Sequence, residues 1–526
     1  MRVQLSSCML LLLAACTSGG GGGGSTSVPL AQWGSFRHDG GNTALGSGSL
    51  DDNQGRRITF DLGPGNHSTP AIGDDGEVYV GGSDGVLALR IDGNPGTLVE
   101  QWRFDFCNLD DGAVPCDDPS DRCIEVGPVE STPAVTADNE LFFVAVNGWS
   151  FAVHDEGGTF TCDLALPPDV ASARASSQTL IDGRDLSINS VFMGTTDGGV
   201  QALNGDGSTR WRFSPVPPSE FELTSTPSLG SNLFFIAPDG FLYALDFAGR
   251  FRWRASVGID PESSNLVPST AASNAVYAVT AGGGVVAYNP DGTFKWRFQA
   301  GPGRHILGSP AIVLQTVENE DLDDPTATVQ NFELIVYIVD DHGTLYGVRD
   351  RDGTVLLQDR CSITNAGCIN ADDCPPGESC VQRTCTLTGV LCFEESDCPP
   401  RDGQMQICDG FRAQIDLVPE GTVSSSPIIS TDLFAVYLID DGRVCARGID
   451  NSTPSGQLPS ASPTPSDATP AATPVVTGSA TPSPTPTPGP FNDRCLDIGE
   501  PITSSPVLDR QGRVYFVAGE TLYAIE

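Results

Sequence analysis

The sequence predicts an all-β protein, an eight-bladed β-propeller of four-stranded blades that carries a disulfide-rich insertion and a Pro/Thr/Ser-rich loop. Three observations predict this fold. A short motif recurs eight times along the 526 residues, β-prone segments joined by glycine turns follow each copy, and the two ends of the chain together supply one complete blade. The 60 glycines and 40 prolines fit a fold with many tight turns.

The recurring motif is a small hydroxyl residue followed by proline or a substitute for it, and we place it just before the innermost strand of each blade. Self-similarity at such a period is typical of repeat architectures. The eight copies lie at Ser68-Thr69-Pro70, Ser131-Thr132-Pro133, Ser176-Ser177-Gln178, Ser225-Thr226-Pro227, Ser269-Thr270-Ala271, Ser309-Pro310, Ser426-Pro427 and Ser505-Pro506.

Each motif is followed by a β-rich segment with one aromatic residue, which we assign to the second strand. These aromatic residues are Tyr79, Phe143, Phe192, Phe235, Tyr277, Tyr337, Tyr437 and Tyr515. A turn then leads to a third strand, and Asp-Gly pairs there favour the positive φ of a tight hairpin. Such pairs occur at Asp84-Gly85, Asp197-Gly198, Asp239-Gly240 and Asp441-Gly442.

A tryptophan often occupies the fourth strand, after a further turn such as Asp291-Gly292. Because these tryptophans recur at the spacing of the blades, we expect them to pack between blades rather than to hold a cofactor. They are Trp102, Trp211, Trp253 and Trp296.

The two ends of the chain are predicted to close the ring. The last repeat stops after its third strand, and residues 57–63 form an isolated strand before the first motif. Pairing these two segments in blade eight would remove the open sheet edges that promote aggregation. An open array of β-sandwiches would not explain the missing strand.

The repeat resembles that of the pyrroloquinoline-quinone-like β-propeller family, also described as quinoprotein-dehydrogenase-like. The resemblance rests on units such as residues 68–102 and on residues 32–43, which are similar to the segment that opens such domains. It extends over most of the chain from Gln32 to Glu526, and it implies the propeller fold. The family includes quinone dehydrogenases, a lipoprotein of the outer-membrane β-barrel assembly machinery, and binding proteins, so fold alone does not assign a function.

The first residues predict export and lipidation. Residues 1–15 have the short apolar core of a signal peptide, and Leu13-Ala14-Ala15-Cys16 resembles a bacterial lipobox. We therefore expect a lipid on Cys16, a Gly-rich tether over residues 16–27, and a propeller over residues 28–526. A soluble secreted protein is the alternative. Under the rules of Gram-negative bacteria, Thr17 indicates the outer membrane, on its periplasmic or its external side.

Four insertions interrupt the propeller, at residues 107–126, 317–332, 361–410 and 451–490. Connections between the fourth strand and the next first strand share one face of a propeller with the turns between second and third strands. The first insertion belongs to that face and the second to the opposite face. We expect the acidic second insertion to be a solvated loop, and the Pro/Thr/Ser-rich fourth to be an extended one.

Cysteines other than Cys8 and Cys16 number 14, which permits seven disulfides in an oxidising compartment. We predict that Cys445 pairs with Cys495 at the base of the fourth insertion. Cys162 of the next blade is a candidate partner for the cysteines of the first insertion. The third insertion is read as a disulfide-held mini-domain, with a zinc site as the alternative. The remaining disulfide candidates are Cys107, Cys116, Cys123, Cys361, Cys368, Cys374, Cys380, Cys385, Cys392, Cys398 and Cys408.

The net charge of −39 argues against nucleic-acid partners and against electrostatic attachment to anionic lipids. Membrane contact is therefore expected only through the lipid anchor. The basic residues, of which Lys295 is the only lysine, look dispersed, with no patch. We expect a monomer whose partner is an envelope protein or an extracellular glycan.

No catalytic group and no cofactor site is predicted. His67 and His305 occupy similar loops before innermost strands and are candidates for the mouth of the central channel, without a partner acid or nucleophile. The Cys-Cys pair often found in quinone dehydrogenases is missing, and their calcium ligands cannot be placed here. Acidic clusters such as Asp321 to Asp324 lack the spacing of a calcium loop.

Three functional hypotheses remain from the sequence. The first is a non-enzymatic binding or scaffolding lipoprotein of the cell envelope. The second is a periplasmic oxidoreductase that uses pyrroloquinoline quinone and calcium. The third is a calcium-assisted carbohydrate-binding or adhesion module.

Overall fold

The computed structural model describes residues 44–46, 48–50, 53–83, 85–93, 96–104, 128–136, 139–166, 179–181, 190–204, 208–258, 269–270, 275–280, 282–300, 304–320, 328–341, 345–353, 359–361, 367–368, 380–381, 422–423, 425–448 and 494–526. Predictions for residues 1–43 and for the first and fourth insertions lie outside these ranges. Among the described residues, no helix has the length and apolar character needed to cross a membrane.

The fold is an eight-bladed β-propeller, as predicted. The first strand, β1 (Arg57–Asp61), belongs to the last blade, and the next blades follow in chain order. Blade 1 contains β2 (Ala71–Ile72), β3 (Val78–Gly82), β4 (Gly85–Asp92) and β5 (Thr97–Phe104). Blade 2 contains β6 (Ala134–Val135), β7 (Glu140–Val144), β8 (Ser150–Asp155) and β9 (Phe160–Leu166). Blade 3 contains β10 (Thr179–Ile181), β11 (Ser190–Gly194), β12 (Val200–Leu203) and β13 (Thr209–Phe213).

Blades 4 and 5 have the same plan of four antiparallel strands, and blade 6 has three in the described part of the chain. Blade 4 contains β14 (Ser228–Leu229), β15 (Leu233–Ala237), β16 (Phe241–Leu245) and β17 (Phe251–Ser256). Blade 5 contains β18 (Ser269–Thr270), β19 (Val276–Val279), β20 (Gly284–Tyr288) and β21 (Phe294–Gln299). Blade 6 contains β22 (Ala311–Glu320), β23 (Thr328–Val339) and β24 (Leu345–Arg349).

The third insertion has a small sheet of its own, and two blades follow it. That sheet contains β25 (Asp359–Cys361), β26 (Gly367–Cys368) and β27 (Cys380–Val381). Blade 7 contains β28 (Ile428–Ile429), β29 (Phe434–Ile439), β30 (Arg443–Gly448) and β31 (Arg494–Asp497). Blade 8 contains β32 (Val507–Leu508), β33 (Val514–Ala518) and β34 (Thr521–Ile525), together with β1.

The ring closes as the sequence predicts. β1 pairs antiparallel with β34, from Arg57 opposite Ile525 to Asp61 opposite Thr521. The backbones of Arg56 and Glu526 exchange two further hydrogen bonds, and their side chains form an ion pair. The first and last parts of the chain therefore complete one sheet, and the outer edge of blade 8 comes from the chain's beginning.

The motif before each innermost strand has a structural role. Proline has no backbone N–H to donate, so the strand ladder would stop there. The serine two residues before the proline continues the ladder by accepting a backbone N–H from the second strand. Ser68 Oγ accepts from Gly81 N at 2.8 Å and Ser225 Oγ accepts from Ile236 N at 3.1 Å. In blade 7 this serine is Ser425, which directly precedes Ser426-Pro427, and its Oγ accepts from Leu438 N at 2.9 Å.

The predicted aromatic residues of the second strands form the core between blades, and each is at most 2% exposed. The glycines of the Asp-Gly turns adopt positive φ, as predicted, with 77° at Gly198 and 80° at Gly240. Burial of these large side chains on both faces of each sheet stabilises the ring, because a single blade cannot bury its own two faces.

Three tryptophans each connect one blade to the next, between blades 3 and 6. We call each of these contacts a tryptophan dock. The indole N–H of Trp211 donates to Phe247 O at 3.0 Å, that of Trp253 to Pro290 O at 2.9 Å, and that of Trp296 to Asp350 O at 2.7 Å. Each ring lies against a glycine of the acceptor turn, since a Cβ on Gly249 would come within 2.5 Å of the Trp211 ring. The predicted role of these tryptophans in inter-blade packing is confirmed.

A segment before β1 also lies in the ring, and no sequence pattern indicated it. Leu45 forms a parallel bridge with Ile429 of the innermost strand β28. Asp432 Oδ2 then accepts hydrogen bonds from Ser49 Oγ and Leu50 N, both at 2.9 Å. The chain therefore lies along the innermost strand of blade 7 before it reaches the outside of blade 8.

The predicted disulfide between Cys445 and Cys495 is confirmed, with an S–S length of 2.00 Å. The two residues are register partners on β30 and β31, so the bond joins neighbouring strands at the base of the fourth insertion. Cys162 is also disulfide-bonded. In the third insertion, the backbone register places Cys361 opposite Cys380. The other predicted pairings fall on residues that the structure does not describe.

Candidate binding surfaces

The propeller has two faces, which we name by their contents. The anchor face holds the connections that lead into innermost strands and the turns between second and third strands. In several blades, a backbone hydrogen bond joins these two kinds of connection. Examples are the bonds from Val257 N to Gly240 O in blade 4 and from Ile498 N to Gly442 O in blade 7. The arm face holds the other two kinds of connection.

His67 lies on the anchor face at the junction of blades 8 and 1. Its Nε2 is 2.9 Å from Gly63 O, and its ring lies against the turn at Gly82. A hollow of about 270 Å³, which includes space open to solvent, adjoins the ring. The second, third and fourth strands of blade 1 and Leu62 line this hollow. The approach of His67 to the channel mouth stays a prediction.

His305 lies on the same face but at the junction of blades 5 and 6, so the structure does not bring the two histidines together. Its backbone N donates to Asp341 Oδ1 at 3.0 Å, and Asp341 N donates to His305 O at 2.8 Å. The preceding Arg304 forms a buried ion pair with Asp340 at 3.0 Å. These contacts hold the loop to blade 6, while a channel role for His305 is untested.

The described part of the chain contains no group of three or more His, Cys, Asp or Glu side chains placed to hold a metal ion. We derive no step through a quinone or a metal, and the expectation that the protein uses no cofactor remains a prediction.

A buried acidic residue marks the arm face at the junction of blades 1 and 2. Glu77 is fully buried, and its Oε1 lies 3.3 Å from Arg90 Nη1. Neither oxygen makes a well-formed hydrogen bond with the other described residues. Burial raises the pKa of Glu77 to about 8, and the nearby Asp75 carboxylate adds to the rise. This rise in pKa favours the uncharged carboxylic acid form of Glu77.

Further polar contacts surround Glu77. Asn139 Nδ2 donates to Asp75 Oδ2 at 3.1 Å, which links the first loops of the two blades. Tyr79 OH donates to the buried Asp155 at 2.7 Å. Asp74 forms an ion pair with Arg510 of blade 8 at 2.7 Å. The loops of three consecutive blades are thus joined by polar contacts on this face. Sequence reasoning missed Glu77, whose only signal was an acidic residue inside a β-prone segment.

The most prominent feature of the arm face is a two-stranded arm on blade 6. We define the arm as residues 315–320 of β22 and 328–333 of β23, which pair in register from Gln315 opposite Glu333 to Glu320 opposite Thr328. The third strand, β24, pairs with β23 only from Ile335 to Val339. The arm therefore extends beyond the blade by six residues on each strand, about 20 Å at the usual rise.

The arm corrects the prediction of an acidic loop at residues 317–332. Both strands continue through most of this insertion instead of ending at the blade. The residues explain the strands, because Thr316, Val317, Thr328 and Val329 are β-branched and favour extended backbone. The charge of the acidic residues concealed this pattern in the sequence.

The base of the arm is fixed to blade 6. Arg349 Nε donates to Glu333 Oε2 at 2.7 Å, and Asp350 N donates to Leu334 O at 2.8 Å. Glu333 is also an ion-pair partner of Arg351 at 3.9 Å. These contacts hold the arm in line with the blade at the point where β24 ends.

The basic residues are less dispersed than the sequence suggested. Six of them lie on the outermost strands of blades 3 to 5, and those strands contain no acidic residue. Several form ion pairs within the propeller, including Arg212 with Asp197, Arg252 with Asp246, and Lys295 with Asp350. The six are Arg210, Arg212, Arg252, Arg254, Lys295 and Arg297.

A family model described as "Outer membrane protein assembly factor BamB" matches residues 196–367, from blade 3 to blade 6. This confirms the pyrroloquinoline-quinone-like repeat. The matched repeats include all three tryptophan docks. No curated protein sequence matches the chain.

Several solved structures resemble this propeller. BamB from Moraxella catarrhalis is 15% identical, with a TM-score of 0.36, over 74% of this chain and 92% of that chain. Quinohemoprotein alcohol dehydrogenase from Comamonas testosteroni is 11% identical, with a TM-score of 0.42, over 94% of this chain and 80% of that chain. Sqt1 from Saccharomyces cerevisiae is 11% identical, with a TM-score of 0.45, over 90% of this chain and 99% of that chain. At these identities the likeness is one of fold.

Proposed function

We propose that the protein is a non-enzymatic scaffold of the cell envelope, held at the outer membrane by a lipid on Cys16. The partner in this proposal is an envelope protein. The observation that carries the proposal is the arm, a projecting strand pair on an otherwise closed ring. A rigid platform with one extended element is suited to holding another protein in place.

Contacts between blades and within blades support a rigid platform. Three tryptophan docks, the strand pairing that closes blade 8, and the disulfide between Cys445 and Cys495 each connect parts of the ring. A scaffold gains from such rigidity, because less conformational entropy is lost when a partner binds.

The family match supports the envelope as the location. The matching family is named for assembly at the outer membrane, and the sequence begins with a predicted signal peptide and lipobox. These two features are independent, since the family match covers only residues 196–367.

Lipidation is tested by expressing the full chain in a Gram-negative host with radiolabelled palmitate. We expect label in the wild-type chain and in the outer-membrane fraction, and neither in the Cys16→Ser variant. Equal labelling of both chains would contradict lipidation of Cys16.

The enzymatic alternative is tested on the same purified chain. Pyrroloquinoline quinone and calcium are added with a dye acceptor and alcohols or sugars as substrates. We expect no stoichiometric quinone binding and no dye reduction above a no-protein control. Stoichiometric binding with dye-linked oxidation would overturn the non-enzymatic assignment.

A further inference from the structure

The rim of the propeller between blades 3 and 4 holds an exposed aromatic ring beside an exposed arginine. Phe251 begins the outermost strand β17 and is 52% exposed, and Arg254 lies on the same strand. A β-bulge separates them, and the register pairs Phe251 with Leu245 and Arg254 with Tyr243. Since residues two apart on a strand share a face, Phe251 and Arg254 lie on one face. Phe213 of blade 3 adjoins that face, with its ring centroid 6.4 Å from that of Phe251.

Aromatic side chains, rather than an acid, hold the guanidinium of Arg254 in place. Its Nη1 donates to Tyr243 OH at 3.1 Å, and its Cζ lies 4.5 Å from the ring centroid of Phe241. Among the described residues, no carboxylate forms an ion pair with Arg254. These two contacts leave the positive charge and several N–H donors of the guanidinium open. We call Phe213, Phe241, Tyr243, Phe251 and Arg254 the rim site.

The corresponding arginine of blade 3 has an acidic partner. Arg212 forms an ion pair at 3.0 Å with Asp197, which belongs to the Asp-Gly turn of that blade. In blade 4 the acid of the same turn, Asp239, accepts the hydroxyl of Tyr243 at 2.6 Å instead. Arg254 therefore occupies the position of Arg212 without its ion pair.

Basic residues on an edge strand can serve only to prevent pairing with other edges. That role requires neither an exposed aromatic ring nor a guanidinium in a fixed position. The combination also recurs on β21, where Phe294 is 59% exposed and the exposed Arg297 shares its face. Aromatic residues and arginine are enriched at the centres of protein interfaces. The rim therefore has the composition of a surface that binds another protein.

Charge and spacing restrict what can bind at the rim. The outermost strands of blades 3 to 5 contain six basic residues and no acidic one, and a carboxylate matches the planar guanidinium. The register partners of Arg254 and Phe251 are two residues apart, about 7 Å along the strand. An extended peptide places side chains on one face at the same spacing. The fitting occupant is an extended segment with a carboxylate and an apolar side chain two residues apart.

The net charge argues against a second copy of this chain as the occupant. Two chains that each carry −39 repel one another when their whole surfaces meet. A short acidic segment interacts mainly with charges within a Debye length, about 8 Å at physiological ionic strength. For such a segment, the basic residues of the rim decide the interaction.

We propose that the rim site binds an extended acidic segment of a partner protein, with a carboxylate on Arg254 and an apolar side chain on Phe251. This inference rests on the proposed scaffold function and specifies the chemistry of its partner. Because Tyr243 and Phe241 already hold Arg254, binding costs little side-chain entropy at this position.

The test uses the full chain and fluorescent heptapeptides, with binding measured by fluorescence anisotropy. The parent peptide has phenylalanine and glutamate in turn at its odd positions and serine at its even positions. A matched peptide has lysine in place of glutamate. We expect the parent peptide to bind with a Kd below about 1 mM and the lysine peptide not to bind.

Arg254→Gln should lower the affinity for the parent peptide by about tenfold or more, because hydrogen bonds to a charged group are lost. Arg212→Gln is the control, since it removes the same charge at the same position of blade 3, where Asp197 already pairs with the arginine. We expect the control to bind the peptide as the wild type does. Both arginines are exposed, so both variants should fold normally, which thermal unfolding checks.

Several results would overturn the inference. They are no binding of the parent peptide, equal affinity of the two peptides, and equal losses in the two variants. Tighter binding of an acidic polysaccharide such as polygalacturonate, also lost in Arg254→Gln, would assign the site to a glycan instead. Self-association in sedimentation that depends on Arg254 would assign it to a second copy.

The outcome is separable from that of the proposed function. Dye-linked oxidation by a chain whose rim site binds the acidic peptide would contradict the scaffold and leave the rim site. A lipidated chain without enzymatic activity whose rim site binds no peptide would leave the scaffold and contradict this partner.

Discussion

The junction of blades 1 and 2 differs from the three tryptophan-docked junctions between blades 3 and 6. At the docked junctions, each indole N–H meets a backbone carbonyl of the next blade. Trp102 occupies the corresponding strand of blade 1 and is only 6% exposed, yet its Nε1 has no partner among the described residues. It packs instead against Phe160, with ring centroids 5.1 Å apart.

The turn that receives the tryptophan differs as well. At the docked junction of blades 3 and 4, Gly249 leaves room for Trp211 to lie against the backbone. The corresponding turn of blade 2 contains Gly157, and a Cβ there would contact nothing within 4 Å. At this junction, Tyr79 donates a hydrogen bond to Asp155. The docked junction of blades 5 and 6 has a similar bond from Tyr277 to Asp350, and it has the indole hydrogen bond in addition. The indole hydrogen bond is therefore what the junction of blades 1 and 2 lacks.

Replacing Gly249, the glycine against which Trp211 lies, by alanine should cause the largest loss in the free energy of unfolding. Gly249 and Gly157 share a φ of 77°, so alanine pays the same backbone strain at either position, about 1–2 kcal/mol. Only Gly249→Ala also pushes a Cβ into the Trp211 ring, which adds about 1–3 kcal/mol. Urea unfolding followed by tryptophan fluorescence measures both variants. Equal losses would show that the dock contributes no specific packing.

Replacing tryptophan by phenylalanine should give a smaller difference in lost stability between a docked junction and the junction of blades 1 and 2. Trp296→Phe removes the donor to Asp350 O and leaves that carbonyl without it, at a cost of about 1–3 kcal/mol beyond lost packing. Trp102→Phe removes an N–H that already lacks a partner, so we expect only the packing loss. The difference between the two urea midpoints is the measurement. A larger loss for Trp102→Phe would contradict the contrast between the junctions.

The packing of tryptophans between blades could be predicted from the sequence, because it depends on a short pattern that recurs along the chain. A tryptophan on the fourth strand recurs in blades 1, 3, 4 and 5, and this spacing predicted that the tryptophans pack between blades. Ring closure was also predictable, since a missing strand at one end of the chain matched a spare strand at the other. The pairing of Cys445 with Cys495 followed from their places on neighbouring strands.

The remaining features depend on contacts that have no repeat. Glu77 owes its burial to loops from different blades, and Leu45 pairs with a strand nearly 400 residues away in the chain. The arm was missed for another reason. Its acidic residues suggested a solvated loop, whereas its two strands pair through their backbones.

The last prediction concerns the pH dependence of the junction of blades 1 and 2. Folded Glu77 has a pKa raised to about 8, while an unfolded glutamate titrates near about 4.3. Between these values the folded chain holds a proton that the unfolded chain has released. Raising the pH in this window therefore favours unfolding, with a slope of at most about 1.4 kcal/mol per pH unit for one proton.

Glu77→Gln should remove this slope, because glutamine keeps the shape but cannot ionise. Relative to the variant, the wild type should lose stability between pH 5 and pH 7, measured by urea unfolding at each pH. Glu100→Gln on the same blade is the control, since its side chain is 38% exposed, and its curve should run parallel to the wild type. Arg90, Asp75 and Asp155 are the charged groups that act on Glu77. A wild-type curve parallel to that of Glu77→Gln would contradict the raised pKa of Glu77 and would mean that Arg90 keeps Glu77 ionised in the folded chain.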